Sequence, residues 1–253
     1  MGGAAVKLEG NVVLITGGGS GIGRALAVEL AGRGNTVIVA GRNAERLEEV
    51  ASADDRIETL VLDVADPQSI ADAARTTLAR HPDLNILINN AGIMTDGNPA
   101  EPIDDEALVA LVSTNLLGPI RVISAFIEHL RSRDDSVIVN VTSMLGYVPL
   151  ARSPFYSATK AAMHSYTLSL RHRLGDAAPR VVEVAPPLTR TGLQPVNLTD
   201  PRAMPLEEFI AETMEALEAG HAEAYVARAR ERRDAQRVDD IGITRRFNEL
   251  MGS

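Results

Sequence analysis

Apolar residues recur along this chain as short unbroken runs, separated by longer stretches in which they return at helical spacing. The first run, Val12-Val-Leu-Ile15, gives way to glycines and then to Ile22, Leu26 and Leu30 on one helical face. Runs of the same kind occupy residues 36–40, 57–62, 84–88, 136–141 and 181–185, with a weaker one at 224–227. Unbroken apolar runs suit strands buried on both faces, and their alternation with helices predicts a parallel sheet covered on both sides. Asp66-Pro67 is a helix cap followed by proline in the first turn, so a helix starts near Gln68.

From Asp104, the positions Leu108, Leu111, Val112, Leu116 and Leu117 form an apolar face, and Ile120, Val122, Ile123, Phe126, Ile127 and Leu130 continue it. Gly118-Pro119 between the two groups should disturb the helix. Residues 206–217 read as an amphipathic helix ending before Gly220. The stretch 188–205 has prolines and little periodicity, and is expected to form a mobile substrate loop. Val238, Ile241, Ile243, Phe247 and Leu250 give the helical tail, residues 235–250, one apolar edge, as in a solvated terminal helix or a subunit contact.

Composition narrows the class. The 253 residues, 45% of them hydrophobic, suit one large α/β domain. A net charge of −9 favours solubility and disfavours a nucleic-acid surface. The absence of cysteine excludes a disulfide framework and a thiolate nucleophile. Residues 1–10 contain Glu9 and lack the apolar segment of a signal peptide, and no uninterrupted apolar run is long enough to span a bilayer. A cytoplasmic protein without a membrane partner is expected. His81, His129, His164, His172 and His221 lack metal-ligand spacing, so no metal is expected.

The glycine turn carries the first chemistry. Gly17 permits an abrupt change of direction, Gly21 lets the backbone approach a ligand, and Gly23 permits close packing of helix on strand. With Gly19, Ser20 and Ile22 they open a helix whose free amides suit a pyrophosphate. A flexible turn is the alternative, but the strand before and the helix after favour a dinucleotide. No Gly-Lys-Ser or Gly-Lys-Thr closes the stretch, which disfavours a P-loop. Where an acidic residue would bind the ribose hydroxyls, after the second run, the chain has Arg42 and Asn43. A guanidinium there suits a 2′-phosphate, so NADP is expected over NAD, unless Arg42 is merely solvated. Asp63 and Val64 end the third run, where Asp63 accepts from the adenine amino group or caps a turn. Asn90, Ala91 and Gly92 follow the fourth and leave room for the cofactor's sugar.

Ser143 leaves the fifth run at its carboxyl end, and Tyr156 and Lys160, four residues apart, share a helical face. A phenol packed beside a surface lysine is the bland alternative. In hydride chemistry Tyr156 gives or takes the proton, Lys160 favours the phenolate and holds the ribose, and Ser143 stabilises charge on the substrate oxygen. Asn115, just before Gly118-Pro119, lies where an opened turn would free its carbonyl for a proton-relay water. Leu145, Tyr147, Val148 and Pro149 are candidates for lining an uncharged pocket.

Thr16-Gly-Gly-Gly-Ser-Gly-Ile-Gly23, Asn89-Asn-Ala-Gly92 and Tyr156-Ser-Ala-Thr-Lys160, in this order, closely resemble the short-chain dehydrogenase/reductase family. The resemblance covers residues 7–191. It implies a single doubly wound Rossmann domain over 1–253 with a mainly parallel seven-stranded sheet, an Asn115, Ser143, Tyr156 and Lys160 tetrad, and a homodimer or homotetramer. Arg42 matches the family's NADP-preferring pattern, while Met163–Leu170 together with Glu183-Val-Ala-Pro-Pro187 look like its DltE-like oxidoreductase branch. Many members have Pro-Gly where this chain has Pro186-Pro187, which puts the loop's geometry in question. Leu188, Thr189 and Thr191 remain candidates, with Pro186, for the nicotinamide carboxamide. The expected function is an NADPH-dependent carbonyl reductase, reversible as an alcohol dehydrogenase. The alternatives are a cofactor-sensing interaction protein, and an epimerase or dehydratase on the same fold.

Overall fold

The apolar run after Asn11 becomes β1 (Val12–Thr16), and the later runs become β2 (Thr36–Gly41), β3 (Ile57–Val61), β4 (Leu84–Asn89), β5 (Val137–Val141), β6 (Arg180–Val184) and β7 (Glu223–Ala224). In this computed structural model the described residues are 6–252, so the parts of the expected unit at residues 1–5 and 253 lie outside them. The strands form one parallel seven-stranded sheet in the order β3-β2-β1-β4-β5-β6-β7. This is the doubly wound Rossmann arrangement. One boundary differs appreciably from expectation: the last strand stops at Ala224. The Tyr225 amide turns back onto the Glu223 carbonyl at 3.0 Å and so leaves the ladder.

The helices are α1 (Gly21–Gly32), α2 (Ala44–Ala51), α3 (Pro67–Arg80), α4 (Asp105–Val112), α5 (Gly118–Arg131), α6 (Pro154–Leu174), α7 (Leu206–Glu218), α8 (Ala227–Val238) and α9 (Asp240–Met251). Alternation along β1 divides the interior in two. Val13 and Ile15 enter one apolar cluster with Leu26 and Leu30 of α1 and Phe209 and Met214 of α7. Leu14 enters the other, with Ile70 of α3 and Val122, Phe126 and Leu130 of α5. Each fully buried Leu or Phe stabilises the fold by about 1.5–3 kcal/mol relative to exposure. Asp66 caps α3 as expected, accepting from the Gln68 amide at 2.9 Å, with Pro67 in the first turn.

Gly118-Pro119 does not break the helix. A π-helical turn, Ser113–Leu117, joins α4 to α5, and the Gly118 amide reaches back to the Ser113 carbonyl. Pro119 falls in the first turn of α5, where a missing amide costs little. The result is one 27-residue helical rod, Asp105–Arg131, long and apolar enough by length and composition to cross a membrane, although charged residues such as Arg121 and Glu128 interrupt its apolar run. Here its α5 half is a core helix, burying Val122, Ile123, Phe126 and Leu130 against the sheet.

The topology positions the site. Strand β1 pairs with β2 on one side and β4 on the other, so the connections diverge at its carboxyl end and leave a crevice there.

Candidate active site

Gly17 and Gly21 have φ of +67° and +52°, values that L side chains rarely adopt. A Cβ on Gly17 would stand 2.7 Å from the Ala91 Cα, and one on Gly23 would stand 2.3 Å from the Gly17 carbonyl oxygen. The loop is therefore folded tightly on itself and on the end of β4. Asn90 locks it there, its side-chain amide donating to the carbonyls of Thr16 and Gly17 at 3.1 Å each. The Thr16 hydroxyl accepts from the amides of Asn90 and Ala91, also at 3.1 Å. Ser20 enters α1 extended and makes no side-chain cap, which leaves the first amides of the helix toward the crevice.

A cavity of about 670 Å³ opens from this loop across the carboxyl ends of the strands. Of the expected residues, Gly17, Ser20, Gly21, Ile22, Asn90, Ala91, Gly92, Ser143, Tyr156, Lys160, Pro186, Leu188, Thr189 and Thr191 line it. Gly19, Gly23, Arg42, Asn43, Asp63, Val64 and Asn115 do not. Asn43 caps α2 by accepting from the Arg46 amide at 3.0 Å, and Arg42 is exposed beside it. One turn later α2 returns Arg46 to the glycine loop, where it joins the cavity wall. Asp63 accepts from the Ala65 amide at 2.9 Å, and Val64 is buried in the core. The cradle suits a dinucleotide: it is wide enough, bare of Cβ atoms at the glycine turns and close to unpaired helix amides.

At the far end, α6 carries Tyr156 and Lys160 on its first turns, both buried. The turn Met144–Gly146 is pressed against this helix, and a Cβ on Gly146 would lie 2.9 Å from the Lys160 carbonyl. That contact sets Ser143, at the end of β5, beside the Tyr156 hydroxyl on the cavity wall. The Ser143 hydroxyl also accepts from the Leu145 amide at 3.1 Å. The Lys160 ammonium donates to the Val141 carbonyl at 2.9 Å and lies 5.6 Å from the centre of the Tyr156 ring. Burial pushes the Tyr156 phenol up to about 12, against the pull of the Ser143 bond, and pushes the Lys160 ammonium down to about 8. Asn115 sits in the π turn and clamps the Ile93 backbone, accepting from its amide at 2.9 Å and donating to its carbonyl at 2.8 Å.

The substrate side departs from expectation in three places. The loop after β6 is closed at its base rather than irregular throughout, since the Met204 amide donates to the Leu188 carbonyl and the Arg190 amide to the Met204 carbonyl, each at 2.9 Å. Pro187 is no obstacle, because the Pro186 carbonyl accepts from the Met144 amide at 3.0 Å. Of the candidate pocket residues after Ser143, Leu145 lines the cavity, while Tyr147 and Val148 are buried elsewhere and Pro149 is absent from its wall. The Met144–Gly146 turn directs Tyr147 toward a buried carboxylate, Glu183, at 2.9 Å.

The tail is the third departure. Rather than standing in solvent with one apolar edge, α9 folds back over the site, so that Phe247 and Met251 line the cavity while Val238 and Ile241 are 89% and 85% exposed. Asn248 stitches it down, donating to the Pro149 carbonyl at 2.9 Å and accepting from the Ala151 amide. Arg202 donates to the Leu250 carbonyl at 2.8 Å, a cation at a helix C-terminus. Arg46, Arg152, Arg232, Phe247 and Met251 are thus cavity residues that the sequence reading missed. The four-residue step from Phe247 to Met251 is a legible helical pair, whereas Arg152 in its loop has no sequence signal. Among the described residues no group of histidines and carboxylates is placed to hold a metal.

Residues 11–201 match the family model described as short chain dehydrogenase. The chain is 37% identical over 243 residues to the uncharacterized oxidoreductase DltE of Bacillus subtilis (strain 168), spanning 92% of this chain and 95% of that relative. It is similar to a short chain dehydrogenase from Burkholderia cenocepacia J2315 solved in complex with NADP, with TM-score 0.84, 30% identity and coverage of 95% and 98% of the two chains. It is also similar to a 3-ketoacyl-(acyl-carrier-protein) reductase from Brucella melitensis complexed with NADH, with TM-score 0.78, 26% identity and coverage of 87% and 96%.

Proposed function

The chain belongs to the short-chain dehydrogenase family, and on that premise we propose that it is an NADPH-dependent carbonyl reductase, reversible as an alcohol dehydrogenase. Membership makes it an oxidoreductase that works with a nicotinamide cofactor on a small molecule. The observation that carries the finer reading is the opening of one cavity onto the glycine loop at one end and onto Ser143, Tyr156 and Lys160 at the other.

A bound nicotinamide dinucleotide supplies the hydride in reduction and takes it up in oxidation. Gly17, Gly19, Ser20, Gly21, Ile22 and Gly23 would hold its pyrophosphate, Asp63 and Val64 its adenine, and Asn90, Ala91 and Gly92 its sugar. Pro186, Leu188, Thr189 and Thr191 hold its carboxamide. Arg42 beside Asn43 would take the 2′-phosphate, with Arg46 one turn on, and among the described residues no carboxylate lines that end of the cavity. The hydroxyls of Ser143 and Tyr156 donate to the substrate carbonyl oxygen. As the carbonyl carbon gains the hydride, its oxygen takes the Tyr156 proton, and the nearby Lys160 ammonium favours the phenolate left behind. The carbonyl of Asn115, in the π turn, holds a water through which a proton returns. In oxidation Tyr156 accepts instead.

The reading extends to the whole chain: one dinucleotide-binding unit over residues 1–253, substrate loop 188–205 and tail 235–250, cytoplasmic, and in the DltE-like branch on its 37% identity to that relative. Exposed Val109 and Leu117 on the long rod and Leu168 on neighbouring α6 support a homodimer or homotetramer.

The test follows NADPH and NADH consumption against a panel of ketones and aldehydes, with Tyr156→Phe in parallel. NADPH should be preferred, and Tyr156→Phe should lose about 10²–10⁴-fold in turnover. Turnover surviving in Tyr156→Phe overturns the proton-transfer role. A cofactor ratio indifferent to Arg42→Asp and to Arg46→Asp overturns the NADP assignment. NADPH binding without turnover on any carbonyl would favour a cofactor-sensing role.

A further inference from the structure

The charged side chains on the cavity wall are Arg46, Arg152, Lys160 and Arg232, all cationic, in a chain whose net charge is −9. No carboxylate joins them among the described residues. Arg46 and Lys160 have the roles proposed above. Arg152 and Arg232 have none, and both reach the cavity at its α9 end: Arg152 from the turn before α6, beside the Met251 carbonyl, and Arg232 from α8, stacked 4.9 Å from the Phe247 ring centre.

Among the described residues neither guanidinium is paired with a carboxylate. The Arg152 Nε is buried without a partner among the described residues, and Nη1 reaches the Met251 carbonyl at 3.5 Å, the outer limit of a hydrogen bond. The acid whose field it shares, Asp200, is held by Arg202 through bonds of 2.7 and 3.0 Å. Arg232 has no ion pair among the described residues, and its neighbour Arg228 repels it. Partly buried cations with no carboxylate bonded to them are costly to keep, and a ligand that brings one offsets that cost. The walls around them, Phe247, Met251 and Leu150, are apolar.

We propose that the substrate is a carbonyl compound bearing an oxyanion group, held by Arg152 and Arg232 while Phe247, Met251 and Leu150 cover its carbon chain. Guanidinium forks match carboxylate, sulfonate and phosphate alike. The assignment rests on the reductase reading for the carbonyl, and the anion takes no part in the bond changes.

Binding is measured separately from turnover. Hexanoate, hexanesulfonate, hexyl phosphate and the neutral hexanamide are titrated calorimetrically into the full chain, alone and saturated with NADP⁺. At least one anion should bind about tenfold or more tightly than hexanamide, as a charge-assisted bond requires, and which anion wins identifies the group. Arg152→Gln and Arg232→Gln should each reduce that preference, and Arg152→Lys should keep part of it. Thermal midpoints check that the variants are folded. In turnover, 4-oxopentanoate should exceed its methyl ester in kcat/KM, with the ratio falling in the same variants. Anions bound no better than hexanamide, or a preference indifferent to both arginines, overturns the proposal. An anion preference without reduction of any carbonyl would leave the anion site standing and remove the reductase reading instead.

Discussion

Successive turns of α6 deliver polar side chains to opposite fates. Tyr156 and Lys160 face the cavity, and between them they have one bond to a backbone carbonyl and the approach of Ser143. His164, one further turn along the same face, enters a hydrogen-bonded cluster around a buried carboxylate. There the Glu183 carboxylate, fully buried, accepts from the Thr142 hydroxyl at 2.7 Å and the Tyr147 hydroxyl at 2.9 Å, with His164 Nδ1 at 2.8 Å. The Tyr225 hydroxyl closes against that of Tyr147, and the Arg233 guanidinium lies 4.5 Å from the Tyr147 ring centre. The first group has capacity left for a ligand. The second joins the end of β5, α6, β6 and the chain after β7, and its carboxylate is committed to protein partners, while the Arg233 Nε beside it is buried without one among the described residues.

The contrast is also electrostatic. Burial works to raise the Glu183 carboxyl, but the bonds from His164, Thr142 and Tyr147 outweigh it and hold that carboxyl below its ordinary value. Lys160 has no carboxylate to offset its burial and is pushed down. One helix thus carries a destabilising charge at the cavity and, a turn later, part of a stabilising network.

The sharpest way to break this comparison is to ask whether each group fails in its own currency. Tyr156→Phe should cost the 10²–10⁴-fold in turnover given above and leave the thermal midpoint close to that of the parent chain. A large drop in midpoint would make Tyr156 structural. Glu183→Ala should do the reverse first: leaving Thr142, Tyr147 and His164 around an empty space should cost about 3–5 kcal/mol, read by denaturant unfolding. An unfolding midpoint unchanged by that substitution would show that the cluster holds nothing together.

The smallest effect sharpens the sign. Native Lys160 titrates near 8 against an ordinary value of 10.5. Below about pH 8 the ammonium is charged in both folded and unfolded chains, so its burial penalty is fully present. Between 8 and 10.5 the native chain releases the proton first, and the parent gains stability as pH rises. Lys160→Met should therefore raise the thermal midpoint by a few degrees at pH 7, an advantage that shrinks across that window while activity is lost. A Met variant less stable than the parent at pH 7 would mean that the bond to the Val141 carbonyl outweighs the desolvation.

Much of this was legible beforehand because its causes are local. The runs at 84–88 and 136–141 became β4 and β5 within one residue, since unbroken apolar stretches have few other solutions in a chain that alternates them with helices. Gly17 and Gly21 have positive φ, as the tight turn required. The disturbance before Gly118-Pro119 was legible, but its form was not: a π turn carries the rod through without interrupting it. Tyr147 was read as a pocket residue because it follows Ser143, but the direction of its side chain was set by Glu183, 36 positions away.

By itself, then, the sequence determined the strands, the glycine turn, the Tyr156 and Lys160 pair and the family, because apolar runs, backbone freedom and helical spacing are properties of neighbouring residues. Only the tertiary structure decided that α9 covers the site, that Arg46 joins the cavity wall, and that Arg152 and Arg232 share one space with no carboxylate on its wall among the described residues. Those arrangements depend on contacts between segments up to 99 positions apart, such as Asn248 with Pro149. No local pattern encodes which distant side chains will meet, because that is settled by how the packed elements close over one another.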